Sequence, residues 1–227
     1  MPRTIAKKGQ TIVESAYPSS DLLAVAKKWV AASSTVMLDA IWNACAQFRA
    51  EVLDVVDLDA APDDLERSVT QLLEPRIRRA LTGDEPFYPQ HGVHEWETRQ
   101  PPPAQPPLYD IAFILTANPR IMWPIEAKVL KTDKAVAPYV RDLREEFLTC
   151  RYAPFSPEGV MLGYLVTGDA TVAFKKIAED VPCKIAVVAV PAPRQQAVSE
   201  HRRTVPAGKQ YAVAFRCHHL IMPLVKL

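Results

Sequence analysis

Apolar residues between Ser20 and Phe48 recur at helical spacing. Leu22, Leu23, Val25, Ala26, Trp29 and Val30 form one set, and Met37, Leu38, Ile41, Trp42, Cys45 and Phe48 the next. The pattern predicts two helices. Asp63-Asp64 then offers an N-cap to a further helix whose stripe is Leu65, Val69, Leu72, Leu73, Ile77 and Leu81, with Gly83 as its stop. Pro75 lies inside that stripe and predicts a kink or a break. Beyond Gly83 the texture changes. Residues 93–99 (VHEWETR) alternate like a strand, and residues 101–107 (PPPAQPP) read as a stiff loop. Two β-rich runs follow, LYDIAFIL (108–115) and IMWPIEAKVL (121–130), split by a turn at Asn118-Pro119. They predict a hairpin or a pair of neighbouring strands. A helix over 138–150, a buried strand over 159–166, a helix over 171–179, a strand over 184–190 and at least one strand within 210–224 complete the chain. This order predicts an α/β fold with a mixed central sheet flanked by helices. A helical N-terminal extension occupies residues 1–62 and the main domain residues 63–227.

The run at 121–130 carries the chemistry. Alternate side chains on a strand share a face. Glu126 and Lys128 therefore point one way, while Ile125, Ala127 and Val129 point the other, into a core. An acid and a base on an otherwise apolar strand are costly to bury unless they are paired or bind a metal. Asp110 has the same setting in the preceding run. If the two strands are neighbours, Asp110 and Glu126 converge on one ion. Two carboxylates with retained water suit Mg²⁺, which activates a bound water and offsets charge on a reacting phosphate. An ammonium beside it orients that water or stabilises the developing charge. The bland alternative for Glu126 and Lys128 is a same-face salt bridge on an edge strand.

Asp110 followed by Glu126-Ala127-Lys128 on the next strand resembles the PD-(D/E)XK nuclease superfamily, the restriction-endonuclease-like fold. The resemblance spans roughly residues 63 to 224. It implies that Asp110 and Glu126 bind the metal, that the Ala127 carbonyl completes the coordination and that Lys128 serves the nucleophile. A helix before the first strand commonly adds an acid in this family. Glu66 fits that role, with Glu74 as the fallback. Tyr109 stands where the name motif has Pro.

Charge and composition sharpen this reading only in part. The chain has 227 residues, is 48% hydrophobic and carries a net charge of +1, so it is no polycation. From Glu51 to Glu66 there are seven acids and no bases, and from Val181 onward seven Lys/Arg against the single acid Glu200. A basic C-terminal part suits a polyanion. Lys131 and Lys134 directly follow the motif strand and are candidates for phosphate contact or solvated loop lysines. The resemblance implies that the next helix lines the active site, which adds Tyr139, Arg141, Arg151 and Tyr152 as phosphate candidates, the alternative being a solvated basic face. Cys45, Cys150, Cys183 and Cys217 lack zinc-site spacing and read as reduced thiols. Residues 91–95 lack the zincin order, and the scattered glycines make no phosphate loop, which argues against ATP hydrolysis. His218 and His219 are adjacent, so on a strand they face opposite ways and cannot chelate together. No signal peptide or membrane span is read, so a cytoplasmic protein is expected.

The leading expectation is a Mg²⁺- or Mn²⁺-dependent nuclease hydrolysing DNA phosphodiester bonds, by analogy in a bacterial restriction or anti-phage defence system. The other is a nuclease-fold subunit, latent or non-catalytic, that binds nucleic acid or awaits a protein partner or a second copy at its N-terminal helices.

Overall fold

The computed structural model describes residues 19–98, 105–181 and 184–224. Residues 101–104 of the proline-rich stretch, Arg99 and Cys183 lie outside the described residues. Helix α1 spans Ser19–Glu51 and α2 spans Pro62–Arg79. Strands β1 (Phe87–His94), β2 (Leu108–Leu115) and β3 (Met122–Leu130) follow. Helix α3 (Ala137–Asp142) passes into a π-helical turn over Leu143–Phe147. Then come β4 (Glu158–Leu165), α4 (Ala170–Asp180), β5 (Ile185–Val187), β6 (Gln196–Arg202) and β7 (Ala214–Pro223).

The seven strands form one mixed sheet in the order β1-β2-β3-β4-β7-β6-β5. The β1–β2 and β2–β3 pairs are antiparallel, whereas β3–β4 and β4–β7 are parallel. One sheet face, with Phe113, Trp123, Ile125, Ala127, Val129, Leu162 and Leu220, packs under α1 and α2. The other, with Ala112, Met122, Leu130, Met161 and Ile221, packs under α3 and α4. The strands between are covered on both faces, which explains their near-continuous apolar runs.

Three expectations change. The two predicted N-terminal helices are one helix of 33 residues. The polar stretch Ser33-Ser34-Thr35 contains no Gly or Pro, and residues of that type cost a helix only tenths of a kcal/mol each. Helix α2 continues through Pro75, because fully buried Leu73 and Ile77 hold it on either side. The strand expected over 93–99 lies earlier, at Phe87–His94, and β6 was not foreseen. Pro89 and Gly92 mask β1 in the sequence, yet β1 is a sheet edge, where proline is tolerated. Gly92 has φ 66, a conformation other residues rarely adopt.

Arg203 ties the loop after the π turn to the sheet. It is 4% exposed, lies 4.9 Å above the Phe215 ring, and donates to the carbonyls of Ala212 (2.7 Å), Ala153 (2.8 Å) and Ser156 (3.1 Å). Burial pushes its guanidinium down to about 10. These carbonyls solvate a buried charge in place of water. They also fix a segment in which Cys150 and Ala153 have positive φ. Lysine cannot reproduce the planar fork. Arg203→Lys is expected to cost about 3 kcal/mol through carbonyls left unmet, read as a fall in Tm of about 6–12 °C.

Candidate metal centre

The site lies where β2 parts from β3. Their ladder runs from Ile114↔Met122 to Ile111↔Ile125 and ends there, while β2 stays paired with β1 as far as Leu108. Residues two apart on a regular strand share a face. Tyr109 and Ile111 instead belong to opposite hydrophobic clusters, so the strand rolls over at Asp110. The far side of that roll is braced. Tyr109 donates its hydroxyl proton to Glu95, the Ala153 N–H donates to the Tyr109 oxygen at 2.9 Å, and Tyr152 donates to the Leu108 carbonyl at 2.6 Å.

Beyond the fork, β3 presents an unpaired edge, and two carboxylates cap it. The Ala127 N–H donates to Asp110 Oδ2 at 2.7 Å, and the Val129 N–H donates to Glu66 Oε2 at 3.1 Å. Amides two apart lie on one edge of a strand, and the carbonyl of a residue points to the same side as its N–H. The Ala127 carbonyl therefore opens into the fork beside Asp110.

Glu126 and Lys128 project from the intervening positions, as strand alternation predicts. Lys128 Nζ lies 2.9 Å from Glu66, 3.1 Å from Glu126 and 3.3 Å from Asp142. All four side chains are largely buried, with exposures of 15% for Lys128, 17% for Glu66, 8% for Glu126 and 14% for Asp142. Exposed Arg141 holds the other oxygen of Asp142 at 2.9 Å. With Asp110, four carboxylates face one buried ammonium. Burial raises Glu126 well above the usual carboxylate range, and Asp110 beside it raises it further. Burial likewise raises Asp110 and Glu66, against the pull of the Ala127 amide on the first and of Lys128 on the second. Burial disfavours the Lys128 ammonium, but Glu126, Glu66 and Asp110 outweigh it and hold Lys128 charged above the ordinary lysine value.

A divalent cation fits this donor set. Glu126 Oε2 is buried and has no hydrogen-bond partner among the described residues. Such an orphan costs stability unless something positive meets it. Asp110, Glu126 and the Ala127 carbonyl are hard oxygens at one fork. Among the described residues no three His, Cys, Asp or Glu side chains form a ready cage for a metal. Mg²⁺ often takes only one or two carboxylates and keeps several waters.

The remaining candidates sort by burial. Glu66 joins the cluster, whereas Glu74 pairs with Arg78 at 2.6 Å, away from it. Lys131 donates to the carbonyls of Leu58 (2.9 Å) and Ala60 (2.8 Å), which ties it to the loop before α2. Lys134 is exposed, and Arg151 is exposed and paired with Glu146. Tyr139 is a correction: it is fully buried and cannot meet a phosphate from solvent. Its hydroxyl donates to the Met161 carbonyl at 3.0 Å and so accepts from His219 Nδ1–H at 2.9 Å. His219 Nε2 then accepts from Ser199 at 2.7 Å, and Ser199 accepts from His201 Nε2–H at 2.6 Å. Burial keeps His219 neutral, pushed down to about 3. His218 points the other way, to Glu158 at 2.9 Å. The sequence reading missed Asp142. Its only signal is that it neighbours Arg141 on the helix after the motif strand.

The raised carboxyls set a pH dependence. Asp110, Glu126 and Glu66 bind protons more readily folded than unfolded. The stability they contribute is present in full below the unfolded carboxyl value, about pH 4, and is lost as pH rises through the raised native values. Lys128 contributes stability that persists at neutral pH and is lost only in strong alkali. Glu126→Gln is therefore expected to stabilise the protein at neutral pH by roughly 0.5–2 kcal/mol. That gain should vanish toward about pH 4. Thermal unfolding of both proteins across this range checks it; equal curves at neutral pH would contradict the assignment.

No protein-family model, curated protein or solved structure matches the chain.

Proposed function

We infer that the protein is a Mg²⁺- or Mn²⁺-dependent phosphodiester hydrolase acting on DNA, of the kind the PD-(D/E)XK resemblance implies. The observation that carries this reading is the convergence of Asp110, Glu126, Lys128 and Glu66 at the β2–β3 fork, with a buried carboxylate oxygen left unpartnered. Glu66 comes from the helix before the first strand, as the resemblance implies.

A cation there would be held by Asp110, Glu126 and the Ala127 carbonyl, and would supply an acidified water and charge neutralisation on the phosphate. Lys128 is kept protonated by the carboxylates around it, so it acts as a hydrogen-bond donor and positive charge rather than as a base. It orients the attacking water or stabilises charge growing on a phosphate oxygen. Glu66 fixes the height of Lys128 and the edge of β3 together, because its two oxygens bind Nζ and the Val129 amide.

Wild type is expected to cut plasmid DNA with Mg²⁺ or Mn²⁺. Lys128→Ala should lower the rate about 10²- to 10³-fold, the usual effect of removing one preorganised donor. Equal rates in both proteins, or none in wild type across a wide screen of metals and DNA forms, would sink the proposal.

A second reading has support of its own. Lys131 and Arg151, two cations beside the motif elements, are both occupied internally. That favours a subunit whose phosphate grip is completed by a partner. Light scattering beside the same assay separates the two: a strict monomer that cuts alone argues against the partner.

A further inference from the structure

The three carboxylates around Lys128 Nζ differ in what else holds them. Glu66 spends its second oxygen on the Val129 amide, and Asp142 spends its second on Arg141. Glu126 is buried, and its second oxygen has no partner among the described residues. Glu126 is therefore the least committed of the three and the one nearest in sequence to the open Ala127 carbonyl. It is also the side chain that a cation at the fork would share with Asp110. An ammonium 3.1 Å from that carboxylate repels an incoming dication at close range.

We propose that Lys128 and a divalent cation compete for Glu126, and that Asp142 is the positioning residue that keeps the ammonium at the fork when the cation takes Glu126. The proposal rests on the metal reading of this site. In the exchange Lys128 gives up one of its three ion-pair contacts and keeps those to Glu66 and Asp142. Glu126 gains a partner for its idle oxygen. No covalent bond changes. Asp142 thus acts through Lys128 and does not itself hold the cation.

Calorimetric titration of Mn²⁺ into wild type, Lys128→Met, Asp142→Asn and the double variant tests this without reference to cleavage. Lys128→Met is expected to bind Mn²⁺ about tenfold tighter than wild type, because the competing charge is gone. Asp142→Asn should weaken binding in wild type, because the ammonium falls back on Glu126. Most of that loss should disappear in the Lys128→Met background, the coupling a double-mutant cycle measures. Near-ultraviolet circular dichroism confirms the fold of each, and Lys128→Gln replaces Lys128→Met if the latter is insoluble. Equal or weaker binding by Lys128→Met overturns the competition. An undiminished effect of Asp142→Asn in both backgrounds makes Asp142 a direct ligand and overturns its positioning role. No Mn²⁺ binding by any folded variant, wild type included, overturns the metal reading itself, and the exchange with it.

Discussion

Burying several carboxylates around one ammonium is the constraint that the rest of this structure serves. Removing a charge from water costs several kcal/mol unless hydrogen bonds and an opposite charge replace the lost hydration. Here the replacement is partial. Lys128 and two backbone amides satisfy some of the oxygens, and Glu126 keeps an oxygen with no hydrogen-bond partner among the described residues. A fold that tolerates such a deficit must hold its walls rigidly. The two sheet faces do this, with α1 and α2 on one side and α3 and α4 on the other.

The fork itself has several causes acting together. The strand rolls over at Asp110, Gly92 lies in the paired strand with a conformation that suits a distortion, and Tyr109 is anchored to Glu95 and to the Ala153 amide. The Ala153 segment is in turn held by the carbonyl cage of Arg203. Thus a buried arginine far along the chain bears on where β2 leaves β3. The π turn directly after Asp142 is a second irregularity at the same place. π turns inside helices are often found at functional sites, and this one ends the α-helical run at the residue that reaches Lys128. The chain Tyr139–His219–Ser199–His201 fastens the preceding turn of α3 to β4, β6 and β7.

Much of the site was legible one strand at a time. Period-2 alternation placed Glu126 and Lys128 together because a strand fixes side-chain direction locally. The short Asn118-Pro119 turn made β2 and β3 neighbours because little else can join strands so close in sequence. Asp142 and the role of Lys131 were not legible. Each depends on a contact between elements far apart in space, and nothing in a run such as Arg141-Asp142-Leu143 distinguishes a buried acid from a solvated one. Strand β1 was misplaced for a related reason, since Pro89 and Gly92 are tolerated only because β1 lies at the sheet edge.

The sequence by itself determined the order of the elements from β2 to β5, the apolar face of β3 and the pairing of an acid with a base on its other face. These follow from periodicity, which is a property of neighbours along the chain. Tertiary structure alone decided that Glu66 and not Glu74 meets Lys128, that Asp142 joins them, that Tyr139 is sealed in the core and that α1 is one helix. Those outcomes turn on which surfaces pack together and on how much water each charge keeps, and neither quantity is carried by any single stretch of residues.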